Sequence, residues 1–224
     1  MFGKRTCIGI TVLAVSLFAT AAAHATDYER KVRVATEIYD QFFDDDDETS
    51  NRVIREAICV AVIPNMIKGA FGVGGHHGKG IISCKVGDSW SPPAFVKMSG
   101  GSLGLQIGGE ESDVVLFFMS RRGVESLLDT KFTLGAEAGV AAGPYGSSAE
   151  ASTDLRLRAE IYAYAKSRGL FAGVSVEGAS LSVDQKGIKS YYGERIWPEK
   201  ILFEHEVPSI PSGAQDFMEV LPDS

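Results

Sequence analysis

Leu155–Ala165 reads LRLRAEIYAYA, and its alternation decides the fold class. Leu155, Leu157, Ala159, Ile161, Ala163 and Ala165 take one set of positions, and Arg156, Arg158, Glu160, Tyr162 and Tyr164 take the other. Successive side chains of a strand point to opposite faces, so this period of two predicts a strand with one apolar and one polar-aromatic face. Ala, Leu, Arg and Glu each also suit a helix, but a helix would not keep the alternation unbroken.

The same texture extends outward. Lys131–Asp154, KFTLGAEAGVAAGPYGSSAEASTD, holds no His or Cys and pairs no nucleophile with a base. Its small residues fit β structure that a second backbone or a flat ligand can approach closely. Phe132–Ala141 reads as strand, and so does Leu170–Val183, with Gly173 and Gly178 inside it. Upstream, Ile58–Ile63 is an apolar run stopped by Pro64. Gly69–Gly74 and Gly80–Lys85 read as two strands across a Gly/His turn, followed by Ala94–Met98, Leu103–Ile107 and Asp113–Met119.

Helices are expected at the ends and at one interruption. Tyr28, Val32, Ala35, Tyr39 and Phe42 recur at three and four, one apolar helical stripe. Asp44–Glu48 then forms an acidic connection without the Gly turn and spaced ligands of a Ca²⁺ loop. Short helices follow over Asn51–Ala57, Gly123–Leu128 and Asp184–Tyr192, and a terminal one over Ala214–Leu221. The predicted fold is α+β: a large, curved, mostly antiparallel sheet with peripheral helices, its interior glycines suggesting a partly closed barrel. The expected organisation is a signal peptide over 1–25, a helical segment over 26–57, a β-rich core over 58–193 and a tail over 194–224 packing on the same domain.

The leader reading rests on Lys4 and Arg5, the apolar run Cys7–Ala22 and the small residues of Ala23-His24-Ala25. Cleavage after Ala25 would leave 20 of the 22 basic residues against 29 acidic ones, a net charge of −9. That balance excludes nucleic acid as the main partner and requires any anionic surface to be met by a local basic patch. Export leaves two cysteines, Cys59 and Cys84, in an oxidising compartment. They read either as a disulfide across neighbouring strands or as two buried thiols. The expected location is periplasmic or extracellular, peripherally associated with a membrane.

No constellation for catalysis emerges. Gly72–Gly80 lacks the first Gly and the Ser/Thr of a phosphate loop and reads as a hairpin turn. His76 and His77, if on a strand, point to opposite faces and cannot easily share one metal ion. Gly100–Gly104 has the wrong spacing for a nucleophile elbow. Glu110, Glu111 and Asp113 read as surface acidity. Non-enzymatic action without a cofactor or metal is expected. The positive candidates are basic residues near turns and strand ends: Lys68, Lys79, Arg121, Arg122 and Arg168, with Phe71, Trp90 and Phe171 as aromatics able to enter an interface.

Four ordered blocks carry a family resemblance: AVIPNMIKGAFGVGGHHGKG (Ala61–Gly80), WSPPAFVKMSGGSLGLQIGGEESDVVLFF (Trp90–Phe118), KFTLGAEAGVAAGPYG (Lys131–Gly146) and AEIYAYAKSRGLFAGVSVEGASL (Ala159–Leu181). Over about Ile54–Gly193 the chain resembles the SYLF lipid-binding domain family, whose yeast members act with actin. Ser147 stands where many members carry a basic residue. The resemblance implies association with phosphoinositides. For an exported bacterial member, the expected partner is instead another anionic phospholipid or a membrane surface, and actin is not expected. The alternative is an envelope scaffold that binds a protein partner.

Overall fold

The structure is a computed structural model describing residues 26–42, 48–71, 73–103, 108–129, 132–136, 138–143, 159–167, 170–174 and 176–222. Helix α1 (26–42) carries the predicted stripe, and Tyr28, Val32, Ala35, Tyr39 and Phe42 are all buried. Helix α2 (Glu48–Glu56) precedes four long strands: β1 (Cys59–Phe71), β2 (Val73–Val86), β4 (Ala94–Leu103) and β5 (Gly108–Phe118), with the short β3 (Ser89–Trp90) between. Helix α3 (Arg121–Asp129) leads to β6 (Phe132–Thr133), β7 (Val140–Ala142), β8 (Ile161–Ser167), β9 (Leu170–Gly173) and β10 (Ser180–Val183). Helices α4 (Gln185–Tyr192), α5 (Pro198–Glu204) and α6 (Ser212–Val220) complete the described chain.

The ten strands form one curled sheet, a half-barrel, in the order β6-β10-β4-β2-β1-β5-β8-β7, with β3 added on β2 and β9 on β8. All pairs are antiparallel except β7 with β8. The α+β class predicted from the alternation is therefore the fold observed. Ile161–Ala165 is strand as predicted, whereas 151–158 lie outside the described residues.

The sheet is covered on both faces at its core end, which is why Cys59–Ile63 are buried without a gap. On one face Phe42 meets Tyr164 edge-on at 4.9 Å and Phe117 at 5.5 Å, and Tyr28 meets Phe95 at 5.0 Å. Burial of each such side chain contributes roughly 1.5–3 kcal/mol. Phe118, the next residue in β5, faces the other way, towards Gly123 of α3. Tyr39 meets Phe217 at 6.3 Å, so α6 packs behind α1.

Three sequence expectations need correction. First, Pro64 does not end its strand. β1 continues to Phe71 through an irregularity at Pro64–Asn65, where the registers to β2 and β5 both shift. Asn65 takes φ 49°, and its N–H donates to Asp113 Oδ1 at 2.9 Å. Second, the Gly/His turn expected within Gly72–Gly80 is not there: Val73–Gly80 is strand, paired with β4 throughout and with β1 over Val73–His77, and Phe71 already pairs with Val73. The glycines serve the bulge instead. A Cβ on Gly80 would collide with the Val62 carbonyl oxygen and stand 2.8 Å from Ile63 Cα, and one on Gly78 would stand 2.6 Å from Ile63 Cγ2. Third, Leu170–Val183 is two strands in different parts of the sheet: β9 on β8, and β10 on β4. Gly178, at φ 78°, lies in the turn between them. Phe132–Ala141 is likewise split into β6 and β7, and the proline-rich tail holds a helix, α5, that its composition did not announce.

Candidate functional site

The bulge in β1 opens a cleft of about 580 Å³ against the first turns of α1. Helix α1 supplies Asp27, Arg30, Lys31 and Val34. The bulge supplies Pro64 and Asn65, with Ile67 just beyond, and β2 supplies His77, Gly78 and Lys79. Three cations thus face one carboxylate. Arg30 Nη2 lies 2.6 Å and Lys31 Nζ 3.3 Å from Asp27, and the hydrogen bond from Arg30 is the main cause holding the Asp27 carboxyl below its usual range. Ile67 stands 62% exposed at the rim, the largest exposure among the large apolar side chains described.

Lys79 is fixed from behind. Its Nζ lies 3.5 Å from Asp184 Oδ2, and Lys97 Nζ lies 3.2 Å from Asp184 Oδ1. Asp184 is 1% exposed, caps α4 by accepting from Gly187 N–H at 3.2 Å, and accepts from the Tyr28 hydroxyl at 3.5 Å. Burial alone would push its carboxyl up. The lysines and the Gly187 N–H outweigh burial and hold it below the ordinary carboxylate value. Burial likewise works against the Lys79 ammonium, but Asp184 and Tyr28 raise it overall. Lys79 therefore remains charged while 41% of its side chain faces solvent.

Asp184→Asn keeps an acceptor for the cap but leaves Lys79 and Lys97 without their shared counter-charge. Loss of about 1–2 kcal/mol is expected by urea unfolding at pH 7, and more for Asp184→Ala, which also removes the cap. A carboxylate with a depressed folded pKa stabilises above its unfolded value and loses that contribution as pH falls through the folded one. The gap between wild type and Asp184→Asn should therefore be full above pH 3.8 and close below it. A gap that persists unchanged at pH 2 would exclude the charge as its source.

The sequence-derived candidates do not converge on one place. Lys79 is in the cleft. Lys68 lies on β1 next to Ile67, opposite His76 and Glu110 in register; its side chain and the whole of Arg168 lie outside the described residues. Arg121 and Arg122 open α3 on the other face. Arg121 Nε bonds Glu125 at 2.8 Å, and its guanidinium lies 4.4 Å from the Phe203 ring centroid of α5. Trp90 is no interfacial aromatic: it is 5% exposed and its indole N–H donates to Pro222 O at 2.8 Å. The Phe71 and Phe171 side chains, like residues 43–47 of the acidic connection, lie outside the described residues. His77 lines the cleft while His76 packs on Gly100, the opposite-face arrangement predicted for adjacent strand residues. Cys59 and Cys84 are direct partners in register, with Cα atoms 4.0 Å apart and their sulfurs bonded. Arg30, Lys31, Asn65, Lys97 and Asp184 were not singled out from sequence. Only Asp184 had a local signal, as an Asp preceding a helix.

Among the described residues no group of three or more His, Cys, Asp or Glu side chains is placed to hold a metal ion, and no helix is long and apolar enough to cross a membrane.

A curled half-barrel flanked by helices, with its bulged strand beside a cationic cleft, defines the class by its architecture. A family model described as Ysc84, Las17-binding protein actin regulator, matches residues 99–224. The chain belongs to this Ysc84 (SYLF) family. SH3 domain-containing YSC84-like protein 1 of Rattus norvegicus is 37% identical over 171 residues, covering 75% of this chain and 49% of the rat protein. Protein YSC84 of Saccharomyces cerevisiae is 32% identical over 185 residues, covering 81% of this chain and 39% of the yeast protein. LAS seventeen-binding protein 3 of Saccharomyces cerevisiae is 34% identical over 166 residues, covering 72% of this chain and 36% of that protein. The chain thus spans about half or less of the length of these curated relatives.

Proposed function

We propose that this protein is a non-enzymatic phospholipid-binding domain of the cell envelope that contacts anionic head groups through local basic residues. The observation that carries this reading is the cleft: Arg30, Lys31 and Lys79 converge beside an exposed Ile67 in a chain of formal charge −7. The whole molecule is repelled by an anionic surface, but at 0.1 M salt fields are screened beyond about 10 Å, so the charges nearest the surface decide. Of the basic candidates singled out in the sequence, Lys79 belongs to the proposed contact set; Lys68 pairs in register with His76 rather than with the cleft residue His77, and Arg121 and Arg122 lie on the other face. Co-sedimentation with anionic and zwitterionic vesicles at two salt concentrations tests the reading. Anionic vesicles should pellet the protein, and less so at high salt. Failure to pellet with any vesicle at either salt would leave the second reading.

That second reading is a scaffold that binds another envelope protein. It is favoured by Trp197, 61% exposed with the Arg195 guanidinium 5.3 Å from its ring. Trp and Arg are the residues most often found at the energetic centres of protein interfaces. One relative is named as a Las17-binding protein, and binding of a protein is what that name brings to this chain.

Export and the disulfide are part of the same proposal. Intact mass spectrometry of protein recovered from the envelope should give a chain beginning at Thr26, lighter by two hydrogens than its reduced form. The bond closes a loop with a sequence separation of 25, which should stabilise by about 3 kcal/mol. A chain retaining Met1, or one carrying two free thiols, would count against export to an oxidising compartment.

A further inference from the structure

The bulge does more than open the cleft: it fixes what stands at its base. Asn65 sits at φ 49°, a conformation that L-residues seldom adopt and that Asn tolerates better than most. The conformation is imposed from three sides. Asp113 on β5 accepts the Asn65 N–H, Pro64 precedes it without a donor, and Gly78 and Gly80 of β2 leave the space the displaced backbone occupies. Bulges re-aim side chains, and backbone held in a sparsely populated region by several neighbours is characteristic of functional sites. Here the re-aimed side chain is an exposed amide lining the cleft, and among the described residues nothing hydrogen-bonds to that amide.

We infer that Asn65 is a specificity-determining residue that reads hydroxyl groups on the phospholipid head group held by the cleft. This rests on the phospholipid reading above. Arg30, Lys31 and Lys79 outnumber Asp27 in the cleft, three cations to one carboxylate, so the site attracts the phosphate and on balance repels an ammonium carried by the same head group, as in ethanolamine lipids; in serine lipids the carboxylate offsets that repulsion. An uncharged polyol escapes that repulsion. The Asn amide offers it both a donor and an acceptor, which match a hydroxyl in either role. The occupant is a membrane lipid rather than a free phosphate ester, because Ile67, exposed at the rim, has an apolar phase to enter at a bilayer and none around a phosphate ester in water. The head group this chemistry selects is glycerol phosphate, as in phosphatidylglycerol.

The bland explanation, that Asn is present only because the backbone needs a residue tolerant of positive φ, predicts a different outcome for one substitution. Asn65→Gly keeps the backbone conformation and removes the amide. Wild type and Asn65→Gly are compared by co-sedimentation with phosphatidylcholine vesicles containing equal mole fractions of phosphatidylglycerol or phosphatidylserine, which carry the same net charge. Wild type should prefer phosphatidylglycerol about fivefold, the worth of one net hydrogen bond, and Asn65→Gly should lose that preference while still binding phosphatidylserine vesicles. Equal binding of wild type to both vesicles overturns the inference and leaves the cleft's phospholipid role standing. A preference retained by Asn65→Gly assigns the selectivity to other groups and also overturns it. Binding of wild type to neither vesicle overturns this inference and the phospholipid reading together.

Discussion

Gly80→Ala is expected to destabilise the protein by at least about 3 kcal/mol, whereas Gly75→Ala, five residues earlier on the same strand, should leave it as stable or slightly more so. The contrast follows from what each new methyl meets. At Gly80 a Cβ runs into the Val62 carbonyl and the Ile63 backbone, neither of which can rotate away. Relief requires β1 and β2 to part at the bulge, in a strand whose residues Cys59–Ile63 are wholly buried. Overpacking a rigid neighbour costs about 1–3 kcal/mol and more where backbone must move. At Gly75 the nearest atom is Gly100 O at 3.6 Å, ordinary van der Waals contact. There alanine removes the entropic cost of glycine in a strand, about 0.5–1 kcal/mol. For a chain of this size each kcal/mol moves the melting temperature by roughly 2–4 °C, so Gly80→Ala should melt at least about 6 °C below wild type. Coincident melting of the two variants would show that the glycines do not serve the bulge.

That pair of glycines also marks the limit of what the sequence discloses. Period-two alternation at Ile161–Ala165 and the three-four spacing in α1 are local signals set by which face each side chain takes, and both elements are present as read. The HHGKG segment looks like a turn because Gly and His clusters usually are turns. Its glycines are there for an event on the neighbouring strand, and no window along β2 contains Pro64. Leu170–Val183 failed for a related reason. Its two halves are each plausible strand, and only the curl of the sheet takes one to β8 and the other to β4.

The candidate site was legible in kind and not in membership. Lys79 was visible as a cation in a Gly-rich run. Arg30 and Lys31 looked like the ordinary polar face of an amphipathic helix, which they also are. Their placement opposite Lys79 depends on Tyr28 docking at 5.0 Å on Phe95, about seventy residues away in the chain. Arg121 and Arg122 drew attention as adjacent charges near a strand end. The Arg121 side chain is instead engaged by Glu125 and Phe203 on the far face. Charge in a sequence can be counted, but which charges converge is decided by the helix that packs on the sheet.

Convergence is what the last expected result tests. Arg30→Glu with Lys31→Glu should weaken binding to anionic vesicles by at least roughly thirtyfold, because each basic residue at an anionic surface contributes about 1 kcal/mol. The double variant should fold. Arg30 is exposed and Lys31 lies on the polar side of α1, and the ion pairs they lose to Asp27 are surface pairs that contribute little. Lys79 is deliberately left in place, since a carboxylate there would face the buried Asp184 and confound affinity with stability. Arg121→Glu with Arg122→Glu supplies the matched control: the same change of charge, on adjacent residues of another helix, on the opposite face. If the surface is the cleft, this control loses only what the added negative charge of the whole molecule costs at long range, and raising the salt should erase that loss. Equal losses in the two variants would mean that net charge alone governs binding and that the cleft has no special part. A larger loss in the Arg121/Arg122 variant would move the membrane-facing surface to the α3–α5 side and, with it, away from the β1 bulge.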